Sequence, residues 1–284
     1  MDFCALNVSL YGPRGKLWAL TERGRRAVQR SASCLSIGPS TAWWDGTCLS
    51  VRIEEVTAPL PSRISGLVRL HPSALTSCRF ALDQPGRHRW SPLAPTARVE
   101  VELLRPALRW SGSGYLDSND GDAPLEEDFS EWDWCRAPLP GGAAVLYNAA
   151  RRTGGDLALA LRFDQAGGVE RFEPPPRKPL PRTFWRLMRR TRGDEASTPA
   201  VRRTLEDAPF YTRSVICTQL LGHPVTAMHE SLSLDRFRMP IVQAMLPFRI
   251  PRRSGPPQPA WRDGSSAEPR PVPPAASPAR SVRR

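Results

Sequence analysis

Arg98-Val99-Glu100-Val101-Glu102-Leu103 sets a charged residue against an apolar one at every second position. That is the periodicity of a strand with one wet and one dry face. The same alternation recurs in Leu157, Leu159, Leu161 and Phe163, and in Val51, Ile53 and Val56 among charged neighbours. Turn-forming pairs punctuate the runs: Gly12-Pro13, Asp45-Gly46, Pro85-Gly86, Gly141-Gly142, Gly154-Gly155 and Gly167-Gly168. Long helical periodicity is nearly absent. Many short strands with regular turns predict an all-β chain, an antiparallel barrel or sandwich.

The 284 residues can bury one large β domain or two smaller ones. A boundary is expected near Arg136 to Gly142, where an aromatic-rich run gives way to Pro and Gly. This gives a first domain over 1–137 and a second over 138–253. The stretch from Pro251 to Arg284 holds nine prolines and seven arginines. It cannot bury enough apolar surface to order itself, so 254–284 are expected to form a disordered tail.

No apolar run approaches the ~18 residues of a membrane-crossing helix. The N-terminus lacks the layout of a secretory signal, and a cytoplasmic protein is expected. Six dispersed cysteines without a Cys-x-x-Cys pair suggest reduced thiols rather than a zinc site or a disulfide framework. The net charge of +12 is carried almost wholly by arginine, since Lys16 and Lys178 are the only lysines. Without a nucleic-acid motif, that charge points to an anionic membrane surface rather than to nucleic acid. Phe184, Trp185 and Arg186 lie in Pro181–Arg192, which would be basic and amphipathic as a short helix and suited to lying on a membrane. The same residues also fit a surface helix or strand covering one barrel mouth.

No phosphate loop, nucleophile elbow or zinc helix is present, and a metal site is not expected. Two short segments stand out, Gly86-Arg87-His88-Arg89-Trp90 and Gly114-Tyr115-Leu116-Asp117-Ser118-Asn119. Residues two apart in a strand share a face. His88 therefore projects with Trp90, and Tyr115 with Asp117. Arg98 to Trp110 reads as one strand, a bend at Arg105-Pro106 and the start of another, so antiparallel neighbours could bring the four side chains into one barrel. The pattern equally fits a hydrogen-bonded core cluster, or a turn at Tyr115 and Asp117.

At these segments the chain resembles the carotenoid 1,2-hydratase (hydroxyneurosporene synthase) family. The likeness extends through Cys4 to Pro13, Thr21 to Gly24, Ile37 to Ser40, Trp44 to Gly46, Leu82 to Asp83, Pro124 to Glu126, Trp132 to Trp134, Val145 to Tyr147, Leu205 to Tyr211, His229 to Leu234 and Leu246 to Arg249. It implies two consecutive lipocalin-like β domains. Members begin further upstream, so the first domain is expected to be N-terminally shortened here. The family's His-x-Trp and Tyr-x-Asp positions fall on His88, Trp90, Tyr115 and Asp117.

The implied activity is cofactor-independent addition of water to the terminal double bond of an acyclic carotenoid. Asp117 would be the proton donor, Trp90 the cation-stabilising face, Tyr115 a positioning group and His88 the base or relay. Trp110, Trp132 and Trp134 are expected to line the substrate, and other enzymes of the carotenoid pathway are expected partners. A non-catalytic carrier of a hydrophobic ligand would share the fold. Glu206, Asp207, Tyr211, Arg213 and His229 form a second polar set without an assigned role.

Overall fold

The computed structural model describes residues 3–12 and 15–253. The expected tail lies outside them. Two large antiparallel sheets dominate. The first runs as a meander through Val28–Arg30, Cys34–Ile37, Ser40–Trp44, Leu49–Val56, Arg63–Pro72, His88–Arg105 and Leu108–Gly121, with Phe80–Ala81 beside the start of the long His88–Arg105 strand. The second has the order Val169–Arg171, Leu157–Asp164, Gly142–Arg151, Phe129–Leu139, His223–Ser233, Tyr211–Leu220, Ala200–Asp207. The chain is thus all-β, as the alternation and turn spacing predict, and lipocalin-like, as the family resemblance implies.

The change of sheet falls at the short helix Leu125–Asp128, earlier than the expected 137/138 boundary. Phe129–Leu139 pairs along its length with Gly142–Arg151. Pro140-Gly141 is therefore a hairpin turn inside the second sheet, with Gly141 at φ +74° in the left-handed region that suits glycine. Pro and Gly there mark a tight reversal, not a linker.

Pro181–Arg192 does not form a helix. Arg189–Arg192 is a strand paired with Arg177–Leu180. Its burial alternates, with Arg189 and Thr191 inward and Arg190 outward. Inward-facing Arg189 is satisfied by the Pro181 carbonyl, Thr204 and Ser214. These polar partners favour the strand and leave Phe184 and Trp185 on a projecting turn.

The long strand His88–Arg105 changes phase along its length. Early on the even positions His88, Trp90, Pro92 and Ala94 are buried; later Val101 and Leu103 are. Register shifts between Ser91 and Ala97 produce the switch. Pro92 and Pro95 lie there and cannot donate to the ladder, which is where bulges are tolerated. One strand thereby serves two cores: Val101 and Leu103 pack with Ala19, Ile53 and Ile64, whereas Trp90 packs with Phe129, Trp134, Tyr147 and Leu161 of the second sheet.

A buried ion pair ties the N-terminal segment to the first sheet. Arg23 is bidentate to Glu55, Nη1 to Oε1 at 3.0 Å and Nη2 to Oε2 at 2.8 Å, and Ser40 donates to the same carboxylate at 2.8 Å. Removing one partner strands a charge away from water, at about 3–5 kcal/mol. Arg23→Met should therefore lower stability by that amount in chemical unfolding, while Arg23→Met with Glu55→Leu should recover most of the loss.

Candidate active site

The two expected strands are neighbours. His88–Arg105 pairs with Leu108–Gly121, with Trp90 opposite Asn119 and His88 opposite Gly121. This pairing carries Asp117 to the indole of Trp90. Trp90 Nε1 donates to Asp117 Oδ2 at 2.8 Å, and the Tyr115 hydroxyl donates to the same oxygen at 2.9 Å. Asp117 is half-buried, whereas Trp90 is 0% exposed.

Aromatic rings surround the carboxyl. Trp90 lies 5.6 Å from Phe80 and 5.2 Å from Tyr147, Tyr115 lies 5.1 Å from Trp134, and Trp132 lies 5.6 Å from Tyr147. Burial pushes the Asp117 carboxyl above the ordinary carboxylate range, and its two donors only partly offset this. Burial, and then the charge of Asp117, pushes the Tyr115 hydroxyl up, so it remains a neutral donor. Arg136 stands 5.8 Å over the Tyr115 ring and donates to the Pro95 carbonyl and to Ser113, clamping the first sheet onto the second.

His88 belongs to a different cluster. Its Nε2 is 2.7 Å from Asp128 Oδ2, and its backbone N–H donates to Asp83 at 2.9 Å. The other side of the ring abuts Gly121, where an added Cβ would lie 2.8 Å from Nδ1. Asp83, His88 and Asp128 bring ligand-type atoms within 4.8 Å of one another. Arg87 also bonds Asp128, so a protein cation already matches these carboxylates. The imidazole therefore braces the end of the strand beside Trp90, and no hydrogen bond joins it to Asp117 among the described residues.

Of the expected lining residues, Trp132 and Trp134 stand on the second-sheet face that meets Trp90 and Tyr115. Trp110 does not join them. It is 45% exposed and pairs with Val101, seven residues from Asp117, or about 23 Å along a strand. Sequence reading gives Tyr147 and Asp128 no site role. Tyr147 ends the apolar run that starts at Ala143, and Asp128 lies in an acidic turn forty residues from its imidazole partner.

The second polar set divides. Arg213 donates to Glu230 at 2.8 Å, and Lys16 pairs with Glu206 at 2.7 Å. Tyr211, Arg213, Glu206 and Asp207 line an open cavity of about 590 Å³ together with Tyr11, Trp18, Phe210, Met245 and Phe248. His229 faces the opposite side, where its Nε2 meets the Arg190 carbonyl at 2.9 Å and burial lowers its pKa. On the exposed turn Phe184 is 87% accessible, and Phe248 nearby on the cavity rim is 78% accessible. Arg236 links these parts by donating to the carbonyls of Trp185, Arg186 and Pro209.

A crystal structure described as an AttH from Nitrosomonas europaea aligns over 80% of both chains with a TM-score of 0.56 at 14% identity, a likeness of fold. Acyclic carotenoid 1,2-hydratase of Thiocapsa roseopersicina is 53% identical over 256 residues, 90% of this chain and 63% of its own length. The enzyme of that name from Rubrivivax gelatinosus is 50% identical, covering 89% and 63%. The one from Cereibacter sphaeroides is 42% identical, covering 89% and 91%. The chain thus spans about 63% of the length of the first two relatives. Residues 1–258 match the family model for carotenoid hydratase CrtC, and with relatives this similar across nine-tenths of its length the chain belongs to that family.

Proposed function

We propose that this protein hydrates the terminal C1=C2 double bond of an acyclic carotenoid such as neurosporene or lycopene, without a cofactor, to give the tertiary 1-hydroxy product. An isolated trisubstituted alkene is a weak base, so its protonation needs a strong acid kept out of bulk water. The observation that carries the reading is the convergence of Trp90 Nε1 and the Tyr115 hydroxyl on Asp117 Oδ2. With both bonds on one oxygen, a neutral Asp117 carries its proton on Oδ1. Burial favours that neutral form.

Proton transfer from Oδ1 to carbon 2 breaks the π bond and leaves a tertiary cation at carbon 1. The wholly buried Trp90 is flanked by Phe80 and Tyr147 and addresses the acid through its N–H. Cation stabilisation falls to the rings about the carboxyl, Trp90 among them, an aromatic face contributing ~2 kcal/mol when desolvated. Water adds at carbon 1 and returns a proton to the Asp117 carboxylate, which closes the cycle with one residue as acid and base. His88, paired with Asp128, acts by holding the strand that presents Trp90.

The polyene is dissolved in lipid, and we assign its access to the anionic membrane surface. Trp185, Phe248 and Arg249 line the 590 Å³ cavity, and exposed Phe184 with Arg182 and Arg186 adjoins Trp185 in sequence, an apolar and basic set. The attachment proposed is peripheral, through these side chains; no helix among the described residues is long and apolar enough to cross a membrane. Vesicles containing anionic lipid should float with the protein, and replacing Phe184, Trp185 and Phe248 together by Ser should abolish flotation; undiminished flotation removes this surface from the account.

Incubation with lycopene should yield products heavier by one water. Asp117→Asn should lower that rate by about a thousandfold, within the range general acids contribute, while circular dichroism stays unchanged. Because the protonated carboxyl is the active form, kcat/KM should fall as pH rises through the elevated Asp117 pKa, and the limb should be missing in Asp117→Asn. A carrier would bind the carotenoid and return it at unchanged mass.

A further inference from the structure

Tyr147 lies at the centre of the aromatic cluster, 1% exposed, and its hydroxyl meets no hydrogen-bond partner among the described residues. Trp132 Nε1, on the ring 5.6 Å away, is likewise buried without a partner. A buried donor left unpaired costs about 1–3 kcal/mol, and such groups are rare outside sites that bring them a partner. Trp134 Nε1, directly opposite Tyr147, is unpartnered as well, so three such groups share one face, and Trp132 and Tyr147 are the pair whose rings lie 5.6 Å apart.

Their position is not arbitrary. Phe129–Leu139 and Gly142–Arg151 set Tyr147 directly opposite Trp134 and place Trp132 two residues along the same face. That face meets Trp90 and Tyr115, the two donors to Asp117. The Tyr147 ring is 5.2 Å from the Trp90 ring, and the nearby Asp117 charge helps burial to push the Tyr147 hydroxyl upward. The hydroxyl therefore stays neutral. It can accept a hydrogen bond from water but cannot itself remove a proton.

Resting on the hydratase reading above, we infer that the Tyr147 hydroxyl and Trp132 Nε1 form the binding site for the water that captures the carbon 1 cation, and for the tertiary hydroxyl it becomes. One lone pair of that water accepts from Trp132 Nε1, and one hydrogen is given to the Tyr147 oxygen. The second lone pair forms the C1–O bond. The remaining hydrogen leaves to the Asp117 carboxylate, which has just lost its proton to carbon 2. One π bond and one O–H bond of water break, and one C–H and one C–O bond form.

Two roles are then separable: Asp117 makes the cation, and Tyr147 decides what becomes of it. A cation that is not captured sheds the hydrogen carbon 2 originally carried, or one from a methyl group on carbon 1, and reverts to alkene while keeping the newly added one. In deuterium oxide that reversal leaves deuterium in the recovered, unhydrated carotenoid. The test compares the unmodified protein, Tyr147→Phe and Asp117→Asn, measuring hydrate formed and deuterium in recovered lycopene by mass spectrometry.

Tyr147→Phe keeps the ring and its packing. It should lower hydrate formation about tenfold or more, the scale of losing one positioned hydrogen bond. The ratio of exchange to hydration should rise by at least the same factor. Asp117→Asn should lose both signals. If Tyr147→Phe hydrates within about twofold of the unmodified protein, or loses exchange and hydration in proportion, the water site is wrong and the acid assignment stands. If the unmodified protein forms no hydrate, the hydratase reading falls and takes this site with it.

Discussion

Two N–H and O–H groups pointing at one carboxylate oxygen set the character of the site. Trp90 and Tyr115 come from adjacent strands, and their meeting on Asp117 Oδ2 requires the register that puts Trp90 opposite Asn119. A slip of one residue would turn Asp117 to the other face. Burial opposes ionisation of the acid and the two donors partly restore it, so the carboxyl is tuned rather than simply desolvated. Its surroundings come from the second sheet, whose Trp134 and Tyr147 close over the first. The site is therefore a property of two sheets pressed together, held by Arg136 reaching across to Pro95 and Ser113.

Under the proposed reading this arrangement separates chemistry from support. Asp117 is half-buried, while Trp90 is wholly buried. His88 shares a strand face with Trp90, yet its hydrogen bonds lead away from the acid, to Asp83 and Asp128. Two residues that sequence spacing presents as one unit divide into a group that touches the acid and a group that anchors the strand.

The sequence was most legible where period-two alternation and turn chemistry coincide. Val101, Leu103, Leu159, Leu161 and Phe163 are buried as their spacing implies. It misled where one signal has two causes. Pro140-Gly141 marks a hairpin, yet its composition is that of a linker. Arginines at Arg189 and Arg190 hide an in–out alternation, because the inward one is neutralised by carbonyls and hydroxyls far along the chain. Trp110 shares its residue type with Trp132 and Trp134 but lies at the exposed far end of its strand. Glu55 looks like a surface residue until Arg23 and Ser40 are seen around it. Tyr147 is indistinguishable in sequence from any core aromatic; only its unmatched hydroxyl sets it apart.

The irregular stretch from Ser91 to Ala97 works as a phase shifter between two lattices. Upstream of it the strand obeys the needs of the acid, and downstream those of an ordinary hydrophobic core. A regular ribbon would force one parity on both. The Val101 and Trp90 cores thus set separate packing demands on a single strand, each met in its own parity.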